Sequence, residues 1–535
     1  MSTSEGKRSY MDTVKQEVKQ EVKQEVEHPN GSQSLLKRFK RDFPEETDPV
    51  VREAKKRIGR FIFENGVDFD AVESPSFEDM ISQFDGTNFA HIPMPEELRG
   101  WIFNDAVKEM NDYVDEMRNS WAQTGCSILL DGWKDMKGRT LVNVLVNCPK
   151  GTVYLGSFDI ADYIDDIDAM GSFLDHVIAD VGKENVVQII TYSSSTFMKQ
   201  LGEKLKEKYR SIFWTVGASY CIEIMLEKFG AMDLVMETLE KLNIITRFVQ
   251  NWNGLVPPSK LKSTLPFLTL ENIVLEKENL KNMCHSYDFN LTVEGKRVIE
   301  LVEDQSFWHA ATTVVKATIP LVRVMELVNE NKANMGYIYE TIDQAKETIK
   351  TGLQNKRFQY IPFWNVIDDV WDKYLHNALH ASGYFFNPSF FYSSDGYMDP
   401  EIASGLVSCV ARASEDLHIV DLICEQLENY RKAKGAFGVG CAIDKRSNVP
   451  PALWWSKYGA ECPELQRLAI RILSQTCNNA SMFMLTRSLA ETLLTEGRNP
   501  VEQQRLRDRV FLSYNLKLRN RVSGIRARSG ATNAT

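Results

Sequence analysis

The sequence has no excess of positive charge, no closely paired cysteines and no long apolar run. Acidic residues outnumber basic residues by 73 to 63, which gives a formal net charge of −10. This balance is untypical of a protein that coats nucleic acid over its whole surface, because such proteins are strongly basic. Any contact with DNA is therefore expected only at local basic stretches.

The spacing of the cysteines excludes a protein built on a disulfide framework. Nine cysteines are scattered singly between Cys126 and Cys477, and none forms a Cys-x-x-Cys pair. This spacing predicts reduced thiols and no disulfide framework. The sequence has no secretory signal pattern and no apolar run of about 18 residues, so we expect an intracellular protein that does not cross a membrane.

The length and the apolar content of the chain are those of a large folded protein. The chain has 535 residues, of which 43% are hydrophobic and 10% are aromatic. Such a length and composition predict two or three domains with sizeable cores.

The N-terminal stretch carries a tandem repeat, Val-Lys-Gln-Glu, at residues 14–25. Each unit has the aliphatic-Lys-x-acid pattern that the SUMO-conjugating enzyme recognises, which makes Lys15, Lys19 and Lys23 candidate modification sites. The alternative is a solvated, charged and disordered tail without modification.

A short basic cluster follows the repeat. Lys37, Arg38, Lys40 and Arg41 lie within five consecutive positions. The cluster is typical of a nuclear import signal, and the alternative is ordinary surface charge.

A change of periodicity predicts a sheet after an initial helical region. Residues 126–130 form a short apolar run, residues 140–147 are apolar and rich in β-branched side chains, and residues 152–160 follow a turn. This pattern predicts a three-stranded antiparallel meander whose first strand ends at Asp131. Helices and strands then alternate, so the order is β-β-β-α-β-α-β-α. This order predicts an α/β fold of the RNase H-like type, with a mixed sheet and helices on both faces. After Thr246 the spacing is almost wholly helical, which makes the chain mostly helical overall.

Several stretches resemble the plant hAT (hobo/Ac/Tam3) transposase superfamily, in the branch with an RNase H-like domain. They occur in family order between about residues 50 and 520 of this sequence. The stretches are residues 131–135 (Asp-Gly-Trp-Lys-Asp), 139–147, 186–191, 213–215, 335–340, 380–388, 454–459 and 465–477.

The resemblance implies a metal site that this sequence has lost. In active members of the family, three carboxylates hold two divalent cations, and the two cations lie about 4 Å apart. Asp131 corresponds to the first carboxylate, but Tyr192 and Phe483 stand at the positions of the other two. Gly217 and Tyr220 stand where a family Cys-x-x-His element is expected. We therefore expect no metal, no cofactor and no catalysis.

The resemblance also implies association through the C-terminal segment. The candidate dimerisation residues are Trp454, Trp455, Leu465, Leu468 and Ile472. The alternative is that these side chains pack in the core, because the spacing of the aliphatic residues is ordinary core spacing and paired tryptophans are strong buried anchors. A family N-terminal BED zinc finger is not expected, since the first cysteine is Cys126 and the two preceding histidines are far apart.

These observations predict six segments. They are a disordered tail with the repeats and the basic cluster at 1–48, a helical region at 49–122, the first part of the RNase H-like core at 123–245, a large all-α insertion at 246–448, a hAT-like dimerisation segment at 449–521 and a disordered basic tail at 522–535.

The favoured hypothesis is a domesticated, catalytically inactive relative of a transposase. It would act in the nucleus as a dimerising protein-interaction partner or as a transcription or chromatin regulator, with weak or indirect DNA binding. Its expected partners are hAT-like chains, nuclear regulatory proteins and the SUMO machinery. One alternative is a divergent DNA transposase that uses substitute carboxylates such as Asp135 or Asp159, and another is a cytosolic adaptor.

Overall fold

The computed structural model describes residues 48–85, 91–249, 264–284, 292–330, 335–393, 399–414, 416–494 and 499–532. In these ranges, no helix is both long and apolar enough to cross a lipid bilayer.

Five strands form one mixed sheet in the order β3-β2-β1-β4-β5. The pairs β1–β2 and β2–β3 are antiparallel, whereas β4 and β5 are parallel. The strands are β1 (Cys126–Lys134), β2 (Thr140–Cys148), β3 (Gly151–Asp159), β4 (Val186–Thr191) and β5 (Phe213–Val216). The predicted α/β fold class and the order of its elements are confirmed.

The first helices in chain order precede and connect these strands. They are α1 (Pro49–Asn65), α2 (Pro75–Asp85), α3 (Pro95–Arg99), α4 (Trp101–Thr124), α5 (Ile167–Val181), α6 (Thr196–Lys208), α7 (Ala218–Gly230) and α8 (Asp233–Val249).

The remainder of the described chain is helical, as predicted. Its helices are α9 (Leu265–Leu275), α10 (Lys277–Cys284), α11 (Val293–Glu303), α12 (Gln305–Asn329), α13 (Ile338–Gly352), α14 (Arg357–Val370), α15 (Ala378–Phe386), α16 (Pro388–Phe391), α17 (Pro400–Arg412), α18 (Leu417–Arg431), α19 (Gly440–Asp444), α20 (Pro451–Tyr458), α21 (Pro463–Leu473), α22 (Arg487–Leu493) and α23 (Pro500–Thr532).

Two boundaries differ from the sequence-based expectation. Strand β1 continues past Asp131 to Lys134, because Asp131 pairs with Asn143 of β2 inside the ladder. Helix α23 continues to Thr532, whereas the pattern predicted that regular structure ends near Arg521.

The described residues fall into two compact units. The first comprises those within Met1–Val186, Lys199–Leu205 and Phe483–Thr535, and the second comprises those within Val187–Met198 and Lys206–Met482.

The first unit has helix α23 at its centre. Leu512 and Leu516 of α23 belong to the same apolar cluster as Ile62 and Phe63 of α1 and Ile102 of α4. Every residue from 512 to 516 is buried, so this part of the helix is enclosed on all sides.

A side-chain amide of α23 hydrogen-bonds the edge strand β3. The Tyr154 N–H donates to Asn515 Oδ1 (2.8 Å), and Asn515 Nδ2 donates to the Tyr154 carbonyl (3.0 Å). The ladder register shifts next to Tyr154, since Val144 faces Gly156 whereas Leu145 faces Tyr154. The fully buried Asn515 therefore supplies the hydrogen bonds that a further strand would give to β3 at this bulge.

The second unit has a core of packed aromatic rings. Tyr430 stacks on Phe391, with ring centroids 4.9 Å apart, and lies 4.6 Å from the ring of Trp455. The Trp455 indole also donates to the Phe386 carbonyl (2.8 Å), so its polar atom is satisfied in the core.

Replacing the buried amide tests its role. We expect Asn515→Leu to destabilise the first unit by roughly 2–4 kcal/mol, because it leaves a buried backbone N–H and C=O without partners. Hydrogen exchange of the Tyr154 amide and the thermal unfolding temperature measure the effect.

Asn520→Leu is the matched control on the same helix. Asn520 is only half-buried and contacts the side chains of Arg60 and Glu64. Its replacement should change stability by no more than about 0.5 kcal/mol. Equal losses in the two variants would contradict a specific role for Asn515.

Candidate functional site

Asp131 lies in the interior of β1 and is almost fully buried. Its Oδ2 accepts a long hydrogen bond from Asn143 Nδ2 (3.5 Å) across the ladder. The Ser157 hydroxyl of β3 donates to Asn143 Oδ1 (2.5 Å), and the hydroxyls of Ser157 and Tyr154 are 2.6 Å apart. A buried polar row therefore runs across the three antiparallel strands, as the chemistry of buried polar groups requires.

A guanidinium occupies the other oxygen of this carboxylate. Arg487 is the first residue of α22, and its side chain donates to Asp131 Oδ1 at 3.1 Å. The same guanidinium lies 5.2 Å from the centre of the Trp133 ring. The Trp133 indole in turn donates to Glu491 Oε1 (2.9 Å), one turn further along α22. Strand β1 and helix α22 are thus joined by an ion pair, a cation–π contact and a hydrogen bond.

Burial and the ion pair act on the Asp131 carboxyl in opposite directions. Burial raises its pKa, whereas Arg487 and the Asn143 hydrogen bond lower it, and the balance leaves the pKa above the ordinary value. Arg487 is about half exposed, at 47%, so water screens part of its attraction. The net cost of ionising Asp131 inside the fold is therefore not fully offset.

The two other positions of the expected carboxylate set carry no carboxylate. Tyr192 directly follows β4 and is half-buried. Phe483 ends a short 3₁₀ helix (Ala480–Phe483), and the Arg521 guanidinium lies 6.0 Å from the centre of its ring. A phenol and a benzyl group do not supply the anionic oxygens that hard divalent cations prefer.

The described residues do not fit a two-cation site at Asp131. Both Asp131 oxygens already accept hydrogen bonds, and one of the donors is a cation. Across the part of the chain that the structure describes, no group of three or more histidine, cysteine, aspartate or glutamate side chains could hold a metal ion.

Packing at Gly217 bears on the expected Cys-x-x-His element. A Cβ atom at Gly217 would lie 2.5 Å from the Asn479 Cβ and 2.9 Å from its backbone nitrogen. Helix α7 begins next to it, where the Ala218 N–H donates to the Cys477 carbonyl (2.8 Å). The Tyr220 hydroxyl lies 3.3 Å from the Ser194 hydroxyl. A cysteine side chain at position 217 would therefore collide with the 477–479 segment.

The substitute carboxylates of the transposase alternative have structural partners. Asp135 pairs with Arg139 at 2.7 Å and accepts from the Lys137 backbone N–H. Burial alone would raise the pKa of Asp135, but its hydrogen bonds and the charge of Arg139 outweigh this and lower it. Asp159 is exposed at the end of β3 and accepts from the Ala161 N–H (3.0 Å).

Most of the predicted dimerisation residues lie inside the chain. Trp454, Trp455 and Leu465 have no exposed surface, and Ile472 is 2% exposed. Only Leu468 is partly accessible. These buried side chains could support association only by shaping the segment, because none of them reaches a surface that a partner could touch.

Two groups of predicted sites lie outside the described residues. They are the modification sites Lys15, Lys19 and Lys23, and the import cluster of Lys37, Arg38, Lys40 and Arg41.

Sequence reasoning missed the residues that contact Asp131 most closely. Asn143 could have been found as the polar residue opposite Asp131 in an antiparallel pairing, once the strand was extended past Asp131. Arg487 could not have been found in this way, because it lies 356 positions from Asp131 in the sequence.

Asp131→Asn should stabilise the protein at neutral pH. A raised pKa means that the folded state holds the carboxyl proton more tightly than the unfolded state does. Wild-type stability therefore falls as the pH rises from the unfolded pKa of Asp131 through its folded pKa. The uncharged variant does not lose stability in this way. We therefore expect its unfolding temperature to exceed that of the wild type by about 1–2 °C at pH 7. The difference should disappear as the pH falls toward about 4.

Asp135→Asn is the matched control, with the opposite sign expected. Its carboxyl has a lowered pKa, so it stabilises the folded protein above the unfolded pKa and loses this effect in acid. A lower unfolding temperature of Asp131→Asn at pH 7 would instead mean that the Asp131–Arg487 pair is net stabilising.

Two regions of the chain match known families. Residues 93–245 match the family described as Domain of unknown function (DUF659), and residues 437–516 match the hAT family C-terminal dimerisation region. A search of curated proteins found no significant match. Together the two matches support a relation of this chain to the hAT transposase family, with a C-terminal region similar to the one through which that family dimerises.

Proposed function

We propose that this chain is a transposase-derived protein without catalytic activity, which associates with itself or with hAT-like chains. It acts in the nucleus as a protein-interaction partner or as a transcription or chromatin regulator. Its binding to DNA is weak or passes through other proteins, and SUMO attached to Lys15, Lys19 or Lys23 regulates it.

The ion pair between Asp131 and Arg487 is the observation that carries the catalytic part of this proposal. Metal-dependent strand transfer needs carboxylate oxygens that are available to a divalent cation. Here the remaining carboxylate is paired with a guanidinium and hydrogen-bonded to Asn143. The identities of Tyr192 and Phe483 support the same conclusion, since neither side chain can replace a carboxylate.

Self-association is supported by the match of residues 437–516 to a dimerisation region. Weak or indirect DNA binding is supported by the net charge of −10, which disfavours a broad nucleic-acid interface. Nuclear localisation and modification are supported by the sequence alone, through the basic cluster and the three repeats.

A metal-binding comparison tests the catalytic part. We expect wild-type protein and Asp131→Asn to bind Mn²⁺ equally weakly in a titration followed by electron paramagnetic resonance. We also expect neither protein to nick supercoiled plasmid DNA in Mg²⁺ or Mn²⁺, because the site lacks ligands.

A different outcome would favour the transposase alternative. Nicking by the wild type that disappears in Asp131→Asn, together with loss of a bound Mn²⁺, would show that Asp131 still works as a ligand. Asp115→Asn serves as a control for adventitious binding, because Asp115 is an exposed carboxylate on α4 that neither hypothesis uses as a ligand.

Purification of the tagged full-length protein from nuclei tests the regulatory part. We expect chromatin and regulatory proteins to remain bound after nuclease treatment, because protein contacts hold them. A variant with Lys15, Lys19 and Lys23 changed to Arg should lose its SUMO-modified form. Loss of all partners on nuclease treatment would instead indicate direct DNA binding, and absence from nuclei would favour the cytosolic adaptor.

A further inference from the structure

Two half-buried tyrosines of the second unit lie against each other. Tyr339 of α13 and Tyr384 of α15 have ring centroids 5.3 Å apart, with the ring planes inclined by 49°. Tyr339 meets the buried ring of Trp371 at 5.0 Å, edge to face, and Tyr384 stacks on Phe390 of α16 at 5.4 Å. Each tyrosine of this pair is therefore held in place by a further ring while part of it stays accessible to a partner. The faces of such rings attract cations.

Three carboxylates lie close to the tyrosine pair. The Tyr339 hydroxyl donates to Glu401 Oε2 of α17 at 2.9 Å. Burial raises the pKa of the Tyr384 phenol, and the negative charges of Glu340 and Asp343 raise it further. The same holds for the pKa of Tyr339, where Glu401 and Asp343 are neighbouring charges. Asp343 therefore acts on both rings of the pair.

Two of these carboxylates have partners within the chain. Glu401 accepts from Tyr339 through one oxygen and contacts His376 Nδ1 through the other. Glu340 Oε1 accepts from the side-chain amide of Gln344 (2.9 Å). Neither contact supplies a permanent positive charge, since a histidine is charged only when it is protonated.

The third carboxylate, Asp343, experiences the repulsion of its neighbours. Partial burial raises its pKa to about 6, and the charges of Glu340 and Glu401 add to this, whereas the charge of Lys346 opposes it. The Lys346 ammonium, however, forms its ion pair with Asp368, at 2.6 Å. A cation from a partner that approached Asp343 would relieve the repulsion among these carboxylates.

Two further charged residues of this region leave the balance acidic. Asp399, just before α17, adds a negative charge that acts on Tyr339. Arg446 follows α19, and its guanidinium lies 3.5 Å from the centre of the Tyr392 ring, which is outside the tyrosine pair. The negative potential around the pair favours a cationic partner and disfavours nucleic acid.

We propose that Tyr339, Tyr384 and Asp343 bind an arginine side chain in a basic peptide segment of a partner protein. A guanidinium is planar, so it can stack on a tyrosine ring while its N–H groups donate to a carboxylate. A lysine ammonium fits this arrangement less well, because it is more strongly hydrated and cannot stack. The proposal goes beyond the proposed function, since it requires neither self-association nor a nuclear location.

Peptide binding to the full-length protein tests the surface. The probe is a short fluorescein-labelled peptide with two arginines separated by glycine and serine, and binding is followed by fluorescence polarisation. A matched peptide with lysine at both positions carries the same charge. We expect the arginine peptide to bind at least about threefold more tightly than the lysine peptide. Both affinities should fall as the salt concentration rises.

Substitutions separate the ring from the charge. We expect Asp343→Asn and Tyr384→Leu each to weaken binding of the arginine peptide at least about fivefold, because each removes one of the two attractions. Tyr384→Phe keeps the ring and should stay within about twofold of the wild type. Glu300→Gln is the matched control for charge, since Glu300 is exposed on α11, a helix that carries none of these rings. Unfolding temperatures check that each variant is folded, and Asp343→Asn decides the test if Tyr384→Leu is not.

Four outcomes would overturn the proposal. They are a wild-type protein that does not bind the arginine peptide, equal affinity for the lysine peptide, equal losses in Asp343→Asn and Glu300→Gln, and equal losses in Tyr384→Phe and Tyr384→Leu. The second and third would show that only the net charge of the protein attracts the peptide. Affinity that falls as the protein self-associates would show that a second copy covers the surface, and would overturn the peptide as its occupant.

Discussion

The first unit depends on the hydrogen bonds between Asn515 and the backbone of Tyr154. An edge strand presents N–H and C=O groups that must find partners, and a bulge leaves such groups outside the ladder. Helix α23 supplies both partners from one side chain while its leucines pack against α1 and α4. A helix enclosed on all sides tolerates polar residues only where they are hydrogen-bonded, which is also the case for Ser513 through the Glu64 carbonyl.

The same helix fixes the ion pair at Asp131. The Tyr514 hydroxyl, adjacent to Asn515, donates to the Thr486 carbonyl (2.5 Å), and Thr486 directly precedes Arg487. Burial raises the pKa of the Tyr514 phenol, so it stays a neutral donor over the physiological range. An isolated buried carboxylate is costly, and a cation beside it reduces that cost. In this chain Arg487 of the C-terminal segment supplies the counter-charge for Asp131.

The sequence predicted the elements of the sheet well because buried strands leave a local signature. The runs at 126–130, 140–147 and 186–191 are short, apolar and bounded by turn residues, and each is a strand in the structure. Two partners could not be predicted from the sequence, Arg487 for Asp131 and Asn515 for Tyr154. Each lies more than three hundred positions away from its partner, and no periodicity marks a polar residue that will be buried. The resemblance assigned the tryptophan pair to association, and the alternative of a core position, which paired tryptophans also suit, is the one that the structure has.

The burial of Trp454 and Trp455 changes how association by this region is understood. If these indoles formed an interface, a separated chain would expose two large aromatic surfaces, and association would be close to obligatory. Inside the core they instead hold α19 and α20 in place, and the residues left outside are aliphatic side chains beside charged ones. An interface built from such residues buries less apolar area, so its stability depends more on the rigidity of its support and on the pairing of its charges. Any effect of the tryptophans on association is therefore indirect, through the positions of α19 and α20.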